Sequence, residues 1–262
     1  MTKKRASFFS VPTTPPGSVR YGTKSCTGLT GPSGDSMLKV QPHPDYPPEE
    51  GRYLRGNDFS PVAVAIILNT EAENIPPWIV QLVRAGVESG AAISGTVQTA
   101  NIGIEKIICN IVADTNIRYL ILGGPESDGH HTGAAIKAFM KNGVDKKKRI
   151  VGTDALSPTL YNVPQEYIDR FRSQVTLVDC QFQEETVLKK AVWSCIQENP
   201  VEFRGQKLSD PGAFPEPPFS GKLTWNVTQP WAEPGDDSER VAKQKALLRI
   251  EQLRKKQGLS KF

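Results

Sequence analysis

From residue 62 to residue 198 the chain alternates two kinds of hydrophobic pattern. VAVAIIL (62–68) is a continuous apolar, β-branched run, the mark of a strand buried on both faces. Pro76 and Pro77 then open a segment whose apolar residues, Ile79, Leu82, Val83 and Val87, recur at helical spacing. AAIS (91–94) predicts a short strand. Residues 102–113 predict a helix carrying Ile104, Ile107, Ile108, Ile111 and Val112 on one stripe. IRYLIL (117–122) predicts a second strong buried strand, and GAAIKAFMKNG a helix stopped by Gly143. RIVGT (149–153) predicts a strand, 164–173 a helix, TLVD (176–179) a strand and 184–198 a helix. Continuous apolar strands alternating about five times with helices predict a parallel sheet covered on both faces, an α/β domain of Rossmann-like type.

Outside this core the period disappears. Residues 1–46 are rich in Pro, Gly, Ser and Thr and predict an irregular N-terminal arm, which leaves 47–199 as the α/β domain. Residues 200–237, with Trp225 and Trp231 among many prolines, predict an extended segment on the domain surface. Residues 238–262 predict an amphipathic C-terminal helix with Ser238 as N-cap and Glu239 in the first turn. Its short stripe of Val241, Leu247, Leu248, Ile250 and Leu253 suits docking on the body or pairing with another chain better than lying on a lipid surface.

Composition narrows the function classes. The 32 Lys and Arg against 28 Asp and Glu leave a charge of +4, gathered toward the ends without interleaved aromatics, so nucleic-acid binding is not expected. The four cysteines, at 26, 109, 180 and 195, form no CxxC pair and read as reduced thiols. No signal-peptide core follows the basic N-terminus and no 18-residue apolar window occurs, so a cytoplasmic protein without a membrane span is expected.

The chemistry is concentrated in SDGHHTG (127–133), which holds two of the three histidines and follows the strand IRYLIL. In open α/β sheets ligands bind beyond the carboxyl ends of the strands, where this turn would lie. GxSxG, GxxxxGK[ST] and GxGxxG are all absent, which removes the nucleophile-elbow, P-loop and dinucleotide readings. The remaining histidine, His43, lies in the irregular arm, so a multi-histidine metal site is not expected. What remains is a site using one imidazole, for instance as the single axial ligand of a metal held by a macrocycle. DGHHTG (128–133) fits D-x-H-x-x-G, the signature of cobalamin-binding proteins, although here it follows the third strand rather than the first.

A longer likeness covers roughly residues 46–179. SPVAVAIIL, GAAISGTVQTANIGIEKIICNIVADTNIRYLILGGPESDGHHTGAAIKAFMKNGVD and RIVGTDALSP resemble the A subunit of tetrahydromethanopterin S-methyltransferase. The resemblance implies a corrinoid carrier whose Rossmann-like domain binds a cobamide at the sheet edge, with a histidine as lower axial ligand of cobalt. The family turn E-x-x-G-H-x-x-G is matched by Glu126, Gly129, His130 and Gly133, which selects His130 as the ligand and leaves His131 as a solvent-facing or capping neighbour. The second nitrogen of His130 needs an acceptor, supplied by Asp128 or Glu126. Gly123, Gly124, Gly129 and Gly133 would leave room for a flat ring. The N-terminus of the following helix would receive a phosphate of the nucleotide tail. Thr99, Asn101, Ile102 and Gly103, in and before NIGIEK, read either as a helix start or as cofactor contacts; Asp154, Ala155 and Pro158 are further candidate contacts.

The A subunit of the family ends in a transmembrane helix, whereas this chain ends in a charged amphipathic one, so a soluble relative is expected. It would be a methyltransferase component of one-carbon metabolism related to methanogenesis. It would carry a methyl group on cobalt between a tetrahydropterin, tetrahydromethanopterin or tetrahydrofolate, and a second donor or acceptor. A partner resembling the family's H subunit would bind the pterin. The alternative is a module that binds, stores or senses cobamide without turnover.

Overall fold

The computed structural model describes residues 38–70, 74–219 and 223, with isolated helical positions at 237, 240, 241, 244, 245 and 248. Most of the arm, Trp225, Trp231 and the Ser238 cap lie outside the described residues. Four strands run parallel: β2 (Val62–Ile67), β3 (Ile93–Val97), β4 (Tyr119–Gly124) and β5 (Thr176–Gln181), with β1 (Tyr53–Arg55) added antiparallel at one edge. The sheet order is β1-β3-β2-β4-β5. Every residue of β2 is buried, as a central parallel strand requires.

Helices α1 (Pro77–Glu88) and α5 (Glu185–Ile196) cover one face, and α2 (Ile102–Val112), α3 (Thr132–Asn142) and α4 (Gln165–Gln174) the other. Alternate β2 residues divide between two cores. Ala63, Ala65 and Ile67 pack toward α2, α3 and α4, while Val62, Val64 and Ile66 pack toward α1 and α5. The doubly wound α/β expectation therefore holds. The antiparallel β1 was not anticipated: three residues, YLR, are too few to show a period.

Two other expectations change. RIVGT is not a strand. It takes part only in isolated bridges, Val144 with Ile150 and Arg149 with Thr159, while β4 pairs directly with β5. Ile150 alone of RIV enters the core; Val151 is 44% exposed and Gly152 has φ +80°. The segment after Asn199 starts not as an extended strap but as a hairpin, β6 (Val201–Phe203) and β7 (Gln206–Leu208), turned at Arg204 and Gly205. Phe203 and Leu208 anchor it in the core beside α5.

Neighbouring strands β2 and β4 send the chain opposite ways, β2 by α1 on one face to β3 and β4 by α3 and α4 on the other face to β5, so the connections leaving them diverge and open a crevice at the carboxyl edge. The loops after β2, β3 and β4 meet there.

Candidate functional site at the carboxyl edge of the sheet

The three loops are stitched together by side chains. Gln98, after β3, donates its Nε2 to the Thr70 carbonyl after β2 at 3.0 Å. Thr132, at the start of α3, donates its hydroxyl to the Gln98 carbonyl at 2.6 Å. Ser127 Oγ donates to Thr132 Oγ1 at 2.9 Å and accepts from the Thr132 N–H at 3.0 Å. Both hydroxyl residues are fully buried. They clamp the ends of the turn between them.

Glu126 holds the same turn by its charge. Its Oε1 accepts from the N–H groups of Ser127 (2.9 Å) and Gly133 (2.8 Å), and its Oε2 from Ala134 (2.9 Å). Burial pushes this carboxyl up, but the Gly133, Ser127 and Ala134 N–H groups and the Gln181 amide outweigh it and hold it below the ordinary 4.5. The carboxylate thus caps α3 from upstream and sits where the helix end is positive. With Thr132, Gly133 and Ala134 all donating inside the protein, the expected phosphate site at this helix end is already filled. Both Glu126 oxygens accept from backbone, while Asp128, the other candidate acceptor for an imidazole at this turn, is exposed.

His130 is half-buried at the crest of the turn; no hydrogen bond or ion pair holds its ring among the described residues. His131 is exposed and is the N-cap of α3, in the left-handed conformation at φ +47°. Its N–H donates to the Ser127 carbonyl and its carbonyl accepts from Ala135. It is the capping, solvent-facing neighbour anticipated. His43 lies at the opposite edge, its N–H bonded to the Ala113 carbonyl.

The glycines divide sharply. A Cβ on Gly123 would meet Leu188 and Ile66 within 2.9 Å, and one on Gly124 the Ile67 carbonyl at 2.8 Å. One on Gly133 would overlap Gln181 Nε2 at 2.2 Å. Only Gly129 of the four, at φ +73°, faces open space, with nothing within 4 Å. Three of these glycines serve close packing within the protein, and Gly129 leaves the turn bare beside His130.

Thr99, Asn101, Ile102 and Gly103 come to the same edge. Asn101 Oδ1 accepts from Ile102 N–H at 2.7 Å and Thr99 Oγ1 from Gly103 N–H at 3.0 Å, so both side chains cap α2. Ile102 is 43% exposed. The loop bearing Asp154, Ala155 and Pro158 makes no hydrogen bond to the 126–133 turn among the described residues. Asp154 is exposed, and Ala155 and Pro158 are buried. Sequence reasoning missed the framework residues Gln98, Ser127, Thr132 and Gln181. Only the pairing of two hydroxyl residues around the histidines could have signalled two of them.

No group of three or more His, Cys, Asp or Glu side chains is arranged to hold a metal ion among the described residues. None of their helices is long and apolar enough to cross a membrane.

Comparison with known proteins adds identity to this geometry. The family model that describes the A subunit of tetrahydromethanopterin S-methyltransferase matches residues 39–218. The A-subunit 1 protein of Methanothermobacter marburgensis is 37% identical over 212 residues, 80% of this chain and 79% of that one. The A-subunit 2 protein of Methanothermobacter thermautotrophicus is 39% identical over 177 residues, 67% of this chain and 89% of its own. The A subunit of Methanocaldococcus jannaschii is 34% identical over 185 residues, 69% and 67% of the two chains. The matched region contains the whole sheet, the clamped turn and His130, and on that extent the chain belongs to the family of tetrahydromethanopterin S-methyltransferase A subunits.

Proposed function

We propose that this chain is the cobamide-carrying subunit of a methyltransferase system, with His130 as the lower axial ligand of cobalt. The observation that carries the reading is the His130 turn: one half-buried imidazole without a protein partner, at the switch-point crevice, on a loop clamped by Glu126, Ser127 and Thr132. A lone imidazole suits a metal whose remaining positions are filled by a macrocycle, and an exposed cofactor face needs the bare backbone that Gly129 provides. When bound, the corrinoid supplies a cobalt that carries a methyl group between a tetrahydropterin and a second donor or acceptor.

The chain's own residues bind and orient. His130 presents one ring nitrogen to the metal, and Asp128 stands nearest in sequence to take the proton-bearing nitrogen and fix the tautomer. Thr99, Asn101, Ile102 and Gly103 form the facing wall, with Asp154 as a further contact. Gly123, Gly124 and Gly133, with Ala155 and Pro158, support the wall from within. A separate partner, like the multi-subunit setting implied by the relatives' names, binds the pterin.

The test is an absorbance spectrum of protein incubated with hydroxocobalamin and desalted, beside His130→Ala. The wild type should retain corrinoid and the variant should lose it or show a changed axial-ligand spectrum. Retention by neither protein would end the carrier reading; identical spectra would move the ligand away from His130. Retention without methyl transfer in the presence of a pterin-binding partner would favour a storage or sensing module.

A further inference from the structure

Phe182 follows the last residue of β5 and is 71% exposed. Its backbone is left-handed, φ +60°, a conformation that bulky residues avoid. Five non-glycine residues have positive φ among the described residues: His131, Lys148, Ser157, Phe182 and Arg204. Phe182 is the one large apolar side chain of the five, and with His131 it stands at the carboxyl edge of the sheet. The fold gains little from this ring, because most of it faces solvent. Strained residues of this kind persist where function holds them.

Its position is tied to the histidine turn. The Phe182 N–H donates to the Gly124 carbonyl at 2.9 Å, just before that turn begins. The preceding residue, Gln181, pairs with Gly124 across the two strands and donates to the Pro125 carbonyl at 3.3 Å. Gln181 also fills the space that a Cβ on Gly133 would need. Phe182 is therefore mounted on the same framework as His130. Ile102, 43% exposed, begins α2 just after the loop that leaves β3. β3 and β5 are three strand spacings apart in the sheet, about 14 Å. The bare backbone at Gly129 belongs to the turn that follows β4, the strand paired with β5.

We propose that Phe182 is a cofactor-contacting residue, its ring held in a strained, exposed position to pack against the bound corrinoid. This rests on the corrinoid reading above. It adds a contact that no sequence motif marks. Backbone strain and lost burial are repaid when the apolar parts of the ligand cover the ring.

The experiment compares wild type, Phe182→Gly and Phe182→Leu. Hydroxocobalamin is titrated and followed by absorbance, and the melting temperature is measured without ligand. Glycine relieves the left-handed strain, so the ligand-free Tm of Phe182→Gly should rise by about 2–4 °C. Its hydroxocobalamin affinity should fall roughly tenfold, with the axial-ligand spectrum of the bound form unchanged. Phe182→Leu keeps the strain and part of the apolar surface, so its Tm should match wild type and its affinity should be intermediate. Wild-type affinity in Phe182→Gly, or a lower ligand-free Tm, would overturn the assignment, the second by showing that the ring stabilises the fold. If wild type itself bound no hydroxocobalamin, the corrinoid reading would fall and take this contact with it. Binding by wild type with no effect of the substitutions would remove the contact alone.

Discussion

Two carboxylates stand at opposite edges of one sheet, and the fold treats them in opposite ways. Glu126, at the carboxyl edge, receives three backbone N–H groups and stays charged below its ordinary range. Asp114, at the amino edge after α2, is fully buried. Its Oδ1 accepts from Asn116 N–H at 2.9 Å, but its Oδ2 has no partner among the described residues. Burial pushes it up to about 7, beyond what the Asn116 hydrogen bonds recover; Asp58 adds to the rise and Lys39 opposes it. Tyr46 and Thr115 also bury unpartnered hydroxyls, and burial followed by Asp114 raises the Tyr46 phenol further. Burial alone thus does not decide the charge of a carboxylate; the number of N–H groups aimed at it does. The fold keeps a charge where it orders the 126–133 turn and discourages one where only packing is at stake.

The largest test of this contrast is the pH dependence of stability. The Asp114 carboxyl has a higher pKa folded than its ordinary 3.8. Its contribution is therefore fully present below about pH 4 and is lost as pH rises through about 7. Asp114→Asn keeps an acceptor for Asn116 and removes the ionisation. The variant should gain on wild type with rising pH, by on the order of 4 kcal/mol at most above pH 8, and differ least below pH 4. Urea unfolding from pH 4 to 9 measures this. Parallel curves for the two proteins would mean that Asp114 is charged inside the fold after all.

Glu126 should behave with the opposite sign. Its folded pKa is depressed, so its contribution is present above the ordinary 4.5 and is lost as pH falls through the lower folded value. Glu126→Gln should cost about 1.5–3 kcal/mol at neutral pH, the scale of hydrogen bonds to a charged group, and the deficit should close on acidification. A deficit independent of pH would assign the loss to shape rather than charge. The variant should also weaken hydroxocobalamin retention, since α3 and the His130 turn share this carboxylate.

Much of this was legible in the chain. The apolar runs at 62–68 and 117–122 and the helical stripe at 102–113 identified the doubly wound sheet, because buried parallel strands and one-sided helices leave strong periods. RIVGT misled because it has strand composition but a single buried residue, and the pairing of β4 with β5 is decided by tertiary contacts. At the site, His130 was selected by a motif, and its neighbours Glu126 and Gly129 came with it. The roles did not follow. Glu126 was one of two candidate acceptors for the imidazole, and its capping of a helix seven residues on left no trace in the motif. Gly133 looked like room for a ring and instead makes room for Gln181, which is distant in sequence. Phe182 had no pattern at all, since exposure and a positive φ are properties of the folded chain.

The smallest effect separates the two glycines of the turn. Alanine at Gly133 places a Cβ 2.2 Å from Gln181 Nε2 and 2.7 Å from its Cδ, and that buried side chain is held at Pro125. The overpacking should cost about 1–3 kcal/mol, of which the better helix propensity of alanine returns up to about 1. Alanine at Gly129 meets no atom within 4 Å and bears only the left-handed strain, about 1 kcal/mol. Ligand binding should rank them the other way. A methyl group at Gly129 projects into the open space beside His130, so Gly129→Ala should weaken hydroxocobalamin binding by more than its small loss of stability accounts for. Gly133→Ala should lose binding only in proportion to the disturbed turn. Thermal unfolding and a hydroxocobalamin titration of both variants decide it: equal ranking in the two measurements would make Gly129 a turn residue and nothing more.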